Sequence, residues 1–422
     1  MKHSRSLIPY AVSVALAAFA GGAQASGFAL IEQNASGLGN AYAGAAAVAE
    51  DASTIFFNPA GLTRLPGMQF VGALHVISPN SEFTNSGSQL AALHALGGNG
   101  GDAGDLALVP NLYFSWMMDR QWSFGVGIGA PFGLKTEYEE GWVGRFQGLK
   151  SEIKTININP TVAFKASDTF SIGFGLNYQT AEATLTRAVN LGATEGRALV
   201  EADSNSWGWN IGALFQAGPS TRIGASYRSK VEHTVNGTAT ITNAAGTAIL
   251  GTPAPIEAEI TLPDTFSLSI VQQIDPRLEL LGDISFTRWS EIQQVRIVRL
   301  DNGTTLDTLN LNFDDTYRLS VGANYKLNDE FTLKGGLAYD KSPVQDQFRS
   351  VRLPDNDRIW IAVGGKYRIS KQAVIDFGYT HIFIKDAPIS NNQGTGGGQN
   401  GNVVGTYKAS VDILSAQVSL AF

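Results

Sequence analysis

The 422-residue chain contains no cysteine, and this absence narrows its chemistry. Without cysteine there is no disulfide scaffold, no thiolate zinc site and no thiol nucleophile. Histidine is scarce, and the five in the chain are scattered without the spacing of metal ligands. There is no Gly-x-Ser-x-Gly motif, and the alternate glycines at 125–129 lie in a strand pattern rather than before a helix. These absences argue against an enzyme and against a metal centre, and no cofactor is implied.

The chain also has few charged residues and few long apolar runs. Charged residues make up 16% of the chain, and the formal net charge is −7. An acidic chain is a poor partner for nucleic acid. Beyond residue 20 no stretch is apolar and long enough for a transmembrane helix. The mean hydropathy of −0.01 is uninformative, because alternating apolar and polar residues cancel in the average.

The N-terminal residues have the pattern of a secretory signal. Lys2 and Arg5 precede a short apolar run that ends near Ala20, and Ala23-Gln24-Ala25 is a small-x-small cleavage motif. A membrane anchor is the alternative, but the run is too short to span a bilayer and no stop-transfer pattern follows. We expect residues 1–25 to be removed and the mature chain to begin at Ser26.

The C-terminal residues alternate between apolar and small or polar side chains up to Phe422. The apolar members are Leu414, Ala416, Val418 and Leu420. Such a strand would be an aggregation hazard in water, but it suits a barrel whose outer face meets lipid and whose last strand pairs with the first. We therefore expect an outer-membrane location, with Phe422 as the contact for the barrel assembly machinery.

About fourteen stretches of alternation, each near ten residues, follow Gln69. In one of them the residues at 156–164 alternate between an apolar outward set and a polar inward set. A soluble β-sandwich has the same period, but the number of stretches and the final strand favour a barrel. The predicted fold is all-β: a transmembrane antiparallel β-barrel of about fourteen strands over residues 67–422.

Residues 26–66 do not follow the barrel pattern. They are rich in small side chains and too apolar for a flexible tail. A barrel of this size has a bore that must be filled or left as a water channel. We expect this segment to fold into the lumen as a plug of short helices, with Asn58 capping a helix whose first residue is Pro59.

The run from Gly27 to Pro66, with Glu50-Asp51-Ala52 and Asn58-Pro59-Ala60, resembles the plug of the long-chain fatty-acid transporters of Gram-negative outer membranes (FadL-like proteins). Similar landmarks follow later, and the resemblance covers nearly the whole mature chain. It implies that Asn58, Pro59 and Ala60 anchor the plug. It also implies a monomer that takes up long-chain fatty acids or similar apolar molecules.

The third strand carries inward glycines and a proline: Gly125, Gly127, Gly129, Pro131 and Gly133. Glycine permits bends and proline cannot donate to a ladder, so the pattern indicates either a kink or room for plug atoms. The family resemblance implies a kink that opens a lateral gate in the wall.

Two further groups concern the ligand. Leu134, Trp142, Phe146 and Leu149 are apolar residues in or beside an outer loop. Apolar clusters in loops usually mark binding surfaces, and the resemblance implies an outer groove that collects lipid. The alternative is a loop that folds over the barrel mouth.

For the ligand pocket, the resemblance implies Phe28, Leu30 and Arg187. The resemblance implies a site with two cations, Arg187 and a lysine, for the carboxylate of the ligand. This chain has Asp314 at the place of the lysine and so departs from that site. Arg187 has an alternative role, pairing with an acidic neighbour in the lumen.

The expected function is passive uptake of long-chain fatty acids or related hydrophobic compounds, passing from groove to pocket to lateral gate. The expected partners are that ligand, outer-membrane lipid and lipopolysaccharide. Uptake of aromatic hydrocarbons is the alternative within the same family, and Asp314 favours it. A general porin and a lipid-degrading barrel enzyme are alternatives from other classes.

Overall fold

The computed structural model describes residues 27–89, 91–249, 251–393 and 400–422. The predicted signal peptide, residues 1–25, and Ser26 lie outside this part of the chain. Within the described residues, no helix is both long enough and apolar enough to cross a membrane.

The described residues contain twenty strand segments, which form the wall. They are β1 (Met68–Asn85), β2 (Ala107–Met117), β3 (Trp122–Gly129), β4 (Gly133–Glu137), β5 (Lys150–Lys165), β6 (Phe170–Asn190), β7 (Glu195–Gln216), β8 (Thr221–Arg228), β9 (Val231–Thr242), β10 (Ala254–Leu262), β11 (Thr265–Gln273), β12 (Leu278–Thr287), β13 (Gln294–Arg299), β14 (Thr305–Asn310), β15 (Thr316–Lys326), β16 (Phe331–Asp340), β17 (Arg358–Arg368), β18 (Ala373–Ile384), β19 (Ala387–Asn392) and β20 (Asn402–Ala421).

The segments combine into a closed antiparallel barrel of 14 strands, as predicted. Some wall strands are interrupted and consist of two consecutive segments, for example β8 with β9 and β10 with β11. The last segment, β20, pairs with β1 from Gln69 opposite Ala421 to Asn85 opposite Gly405. This pairing closes the cylinder and leaves neither of these segments as a free edge.

The predicted alternation is present along the wall strands. In β5 the inward residues Thr155, Asn157 and Asn159 are buried, whereas Ile158 and Pro160 face outward and are exposed. The exposed residues of β6 and β7 form part of the lipid-facing band: Phe170, Ile172, Phe174, Leu176, Trp207, Trp209, Ile211 and Phe215. Apolar side chains on the outside and polar side chains on the inside are the arrangement of a membrane barrel.

The segment before β1 lies inside the barrel and consists of short helices. These are α1 (Ala35–Leu38), α2 (Ala45–Val48), α3 (Thr54–Phe57) and the 3-10 helix η1 (Pro59–Arg64). A second 3-10 helix, η2 (Trp289–Glu291), follows β12. Helices this short are not stable alone, so their stability comes from packing against the wall.

Glycines on the inner wall let the plug backbone approach closely. A Cβ at Gly212 would lie 2.0 Å from Asn58 Oδ1, and one at Gly224 would lie 1.9 Å from the carbonyl oxygen of Ala46. Real Cβ atoms do not come this close to other atoms. The wall therefore needs glycine at these positions to hold the plug.

Wall cations bind backbone carbonyls of the plug. Short helices leave their C-terminal carbonyls without intrahelical partners, so these oxygens need donors. The donors and acceptors are Arg222 to Ala47 and Val48, Arg228 to Phe56, Arg318 to Ala41, and Lys334 to Ser36.

Candidate functional site

Asn58 joins the plug to the wall through its side-chain amide. Its Oδ1 accepts the backbone N–H of Ala60 at 3.0 Å, which caps the 3-10 helix that begins at Pro59. Its Nδ2 donates to the carbonyl oxygen of Ala46 at 2.6 Å and to that of Ala213, in β7, at 2.9 Å. One buried side chain thus holds two plug helices and a wall strand together.

Glu50 provides a second, charged attachment of the plug. Its carboxylate contacts Lys334 at 2.8 Å and also contacts Lys366, both on the inner wall. Burial alone would raise the pKa of Glu50, but the positive charges of Lys334 and Lys366 outweigh it and hold that pKa well below its usual range. The carboxylate is therefore ionised, and its removal would leave Lys334 paired with Asp376 alone and take away the carboxylate that Lys366 contacts.

The pairing of the wall strands has a gap where the third wall strand is interrupted between β3 and β4. β3 ends at Gly129 and β4 begins at Gly133, so residues 130–132 leave the strand. β3 pairs with β2 and with β5, whereas β4 pairs with β5 alone among the described residues. Residues 107–111 of β2 pair with β1 on one side. Among the described residues, they have no partner strand on the other side.

A cavity of about 90 Å³ lies at this gap. Its apolar lining includes Leu108 and Pro110 of β2, Ile156 of β5, Leu30 of the plug segment and Phe132 of the kink. Lys154 and Glu182 are among its polar lining residues. Because Pro110 has no N–H, the unpaired edge of β2 has one donor fewer to satisfy.

The N-terminal segment covers the kink from inside. The backbone N–H of Leu30 donates to the carbonyl oxygen of Pro131 at 2.8 Å, and the N–H of Gly133 donates to that of Phe28 at 2.9 Å. Irregular backbone at membrane depth is tolerated where protein covers it, and residues 28–30 provide that cover. Side chains complete the attachment: Gln33 donates to Leu30 and Ala130, and Asn111 donates to Glu32.

The glycines of β3 make room for neighbouring side chains, which is one of the two roles that the sequence left open. Cβ atoms at Gly125 and Gly127 would lie 2.6 Å from Ile55 and 2.9 Å from Tyr113, so these positions make room for the plug and its neighbours. A Cβ at Gly129 would instead lie 2.4 Å from Asn111 Oδ1, beside the kink. Pro131 lies within the kink, and Gly133 begins the next segment.

A cavity of about 150 Å³ lies in the lumen beside the kink. Its apolar lining comes from the plug, the kink and η2, with Leu30, Phe56, Phe132 and Trp289 as the main members. Its polar lining comes from the inner wall, where serine and threonine hydroxyls accompany Arg228, Arg318 and Asp340. The space thus has an apolar face from the plug, the kink and η2 and a polar face from the inner wall.

The three residues expected in the pocket lie in different places. Leu30 lines the lumenal cavity. Phe28 is buried above it, with its ring 4.9 Å from that of Trp289 and 5.9 Å from that of Phe132, both of which line the cavity. Arg187 does not line it, and its Nε lies 3.7 Å from Asp307 Oδ2.

Sequence analysis missed the cavity's own cations, Arg228 and Arg318. In the sequence, each of them is recognisable only as a charged residue at an inward position of a strand. That pattern does not show that a cavity lies beside the residue. Asp314, in contrast, is exposed and accepts a hydrogen bond from Gln345.

Glu32 is a buried carboxyl beside the kink. Burial raises its pKa to about 7, and the nearby charges of Arg318 and Arg358 offset only part of that rise. Its Oε2 has no hydrogen-bond partner among the described residues. The group is therefore poised to gain or lose a proton near neutral pH.

The four outer-loop residues are buried and do not line an open groove in this structure. Trp142 stacks on Tyr138 with ring centroids 3.9 Å apart, and Leu149 packs in the same cluster. Phe146 packs in a separate cluster, and Leu134 packs with Phe28 and Phe132. The side chains of Trp142, Phe146 and Leu149 form the core of folded loops at the barrel mouth, whereas Leu134 lies on β4.

Within the described ranges, no group of three histidine, aspartate or glutamate side chains could hold a metal ion.

The family profile described as "Outer membrane protein transport protein (OMPP1/FadL/TodX)" matches residues 16–422. One relative is the long-chain fatty acid transport protein of Escherichia coli K12. It is 28% identical over 419 residues, which cover 90% of this chain and 93% of the relative.

Two solved structures have the same fold. A Pseudomonas aeruginosa FadL homologue has a TM-score of 0.86 at 23% identity, covering 94% of this chain and 100% of its own. The Pseudomonas putida toluene transporter TodX has a TM-score of 0.69 at 17% identity, with 94% and 100% covered.

Proposed function

Because the chain belongs to the OMPP1/FadL/TodX family of outer membrane transport proteins, we propose that it takes up long-chain fatty acids by passive diffusion. It is a fourteen-stranded outer-membrane β-barrel that transports hydrophobic compounds. The members of its family are transporters and channels. The proposal concerns the identity of the cargo and the route by which the cargo leaves the barrel.

One observation supports the proposed exit route. Leu30 and Phe132 line both the lumenal cavity and the cavity at the wall gap, so these two side chains separate the two spaces. Few backbone hydrogen bonds hold residues 28–30 against the kink, and none of them belongs to a regular β-ladder. A shift of this segment away from the kink would join the lumenal cavity to the lipid-facing side of the wall.

Lateral release suits an apolar cargo. Each buried methylene is worth about 0.8 kcal/mol, so a sixteen-carbon chain gains on the order of 12 kcal/mol by staying out of water. A water-filled pore would forfeit that free energy. A route from the lumenal cavity through the gap at β2 and β4 leads into the outer leaflet without a step through water.

Competition binding tests the cargo. Purified protein in detergent is incubated with radiolabelled oleate, and unlabelled oleate or toluene is added as competitor. We expect saturable oleate binding that unlabelled oleate displaces and that an equal concentration of toluene does not.

Aromatic hydrocarbons are the second candidate, because Asp314 stands where the family resemblance places a lysine and because TodX is described as a toluene transporter. Displacement of oleate by toluene would favour that candidate. Absence of saturable binding, together with a large ohmic conductance in planar bilayers, would contradict both and favour a porin.

A further inference from the structure

Hydroxyl side chains form much of the inner-wall side of the lumenal cavity. Four wall segments, β8, β11, β12 and β15, contribute six of them, and the strand register places these in two adjacent rows. One row contains Thr265, Thr287 and Thr316, and the other contains Ser226, Ser267 and Ser285. Residues two apart on a strand point to the same face, so both rows face the cavity.

The plug does not use these hydroxyls. Ser269, two residues further along β11, accepts the backbone N–H of Ala46 and so helps to hold the plug. The hydroxyls of the two rows differ, because among the described residues their side-chain bonds run only to other wall side chains. These bonds join Thr265 to Thr287, Ser267 to Ser285, and Ser285 to Asp283. The serine row is thus tied to a carboxylate, whereas the threonine row is not.

Thr316 has a buried hydroxyl without a partner. The residue is only 4% exposed and lines the cavity, yet its side chain makes no hydrogen bond within the part of the chain that the structure describes. A buried hydroxyl that lacks a partner is costly and is uncommon in folded proteins. Because a hydroxyl can donate one bond and accept two, Thr265 and Thr287 also keep unused capacity after bonding to each other. The threonine row therefore presents hydrogen-bonding groups to whatever fills the cavity.

The opposite side of the cavity is apolar and is formed by residues such as Leu30, Phe57, Phe132 and Trp289. An unsubstituted hydrocarbon chain would match that side. It would also cover the threonine row without replacing the hydrogen bonds that these hydroxyls make to water, which is unfavourable. A site built to hydrogen-bond a hydroxyl of its ligand discriminates against the analogue that lacks the hydroxyl.

We propose that Thr265, Thr287 and Thr316 bind a hydroxyl group carried on the chain of an aliphatic ligand. The cavity then favours aliphatic compounds with a hydroxyl away from the chain end over their unsubstituted analogues. This inference rests on the proposed function and adds a ligand class to it.

Competition binding compares octadecanoate with its 10-hydroxy and 12-hydroxy derivatives, which have the same carboxylate and the same chain length. Each acid displaces radiolabelled oleate from purified protein in detergent. We expect at least one hydroxy acid to bind about fivefold more tightly than octadecanoate, which is the factor that one net hydrogen bond provides.

A variant with Thr265→Val, Thr287→Val and Thr316→Val removes the hydroxyls and keeps the shape of the three side chains. It should lose the preference for the hydroxy acid and bind octadecanoate at least as tightly as the wild type, because no hydroxyl is then covered without a partner. The ratio of the two affinities is compared between proteins, so differences in how the acids partition into detergent cancel.

Thr161→Val is the matched control. Thr161 is a buried threonine of the inner wall, on β5, that does not line the lumenal cavity. This variant should keep the wild-type preference. Migration on unheated gels checks that each barrel is folded.

Three results would overturn the assignment. They are equal binding of all three acids by the wild type, a preference that the triple variant keeps, and an equal loss of all three acids in the triple variant. A wild type that binds neither oleate nor any of the three acids would instead contradict the proposed function. Octadecanoate binding by the wild type distinguishes the two kinds of failure.

Discussion

Among single residues, we expect the buried carboxyl of Glu32 to make the stability of the fold depend on pH. Its pKa is raised to about 7, chiefly by burial, so the folded protein favours the protonated carboxyl. A carboxyl with a raised pKa contributes stability fully below its ordinary value of 4.5 and loses it as the pH rises through about 7. A shift of this size corresponds to about 3 kcal/mol.

We predict that the unfolding temperature of the wild type falls between pH 5 and pH 8, and that Glu32→Gln removes most of this fall. Glutamine keeps the neutral form, so no charge is created as the pH rises. The temperature at which the folded band disappears from gels measures the effect. Glu330→Gln, in an exposed turn, is the control and should behave as the wild type. A Glu32→Gln variant with the full wild-type pH dependence would contradict the prediction.

Sequence reasoning was only partly informative for single residues. The helix cap at Asn58 and Pro59 follows from local residue preferences, and the structure contains it. The bond from Asn58 to Ala213 does not, because it depends on where the plug lies in the barrel. Arg228 was missed for the same reason: its role depends on a cavity that several distant segments form.

The interrupted third wall strand is the element on which lateral release depends. A Cβ at Gly129 would lie 2.4 Å from Asn111 Oδ1 and 2.6 Å from Gln33 Oε1, the side chains that fasten the N-terminal segment beside the kink. A bulky residue would push against these two side chains, beside the path along which we expect the cargo to pass. Gly129→Leu should therefore reduce uptake of labelled oleate to the background of cells that lack the protein, while the barrel still assembles.

Gly335→Leu on β16 is the matched control, because a Cβ there would meet nothing within 4 Å. It should take up oleate as the wild type does. Normal uptake by a folded Gly129→Leu protein would contradict the lateral route. The sequence predicted either a bend or room for the plug in this strand, and the close approach of Ile55, Tyr113 and Gln33 supports room for the plug and its neighbours.

The protein as a whole is a cylinder whose bore is partly filled by its own N-terminal residues. Wall glycines and wall cations contact the plug on several sides, so the plug fills part of the bore. We predict that a variant without residues 27–66 forms large ohmic channels in planar bilayers, whereas the intact protein does not. An assembled variant, checked by its gel migration, with the conductance of the intact protein would contradict the plug.

The sequence by itself determined the class of fold. A period of two is a local property, and strands of this pattern and length have few ways to satisfy their backbones in lipid except by closing into a barrel. Closure of β20 on β1 and the apolar outer face follow from that constraint, and the number of alternating stretches predicted the number of strands.

Tertiary structure alone decided which parts of the chain meet. Three features depend on contacts between residues far apart in sequence. They are the unpaired edge between β2 and β4, the boundary that Leu30 and Phe132 form between the two cavities, and the burial of Trp142. Alternation specifies which face of a strand points inward, but it does not specify what that face contacts. Those contacts form only when the plug and loops fold against the finished wall, and they determine where a ligand fits.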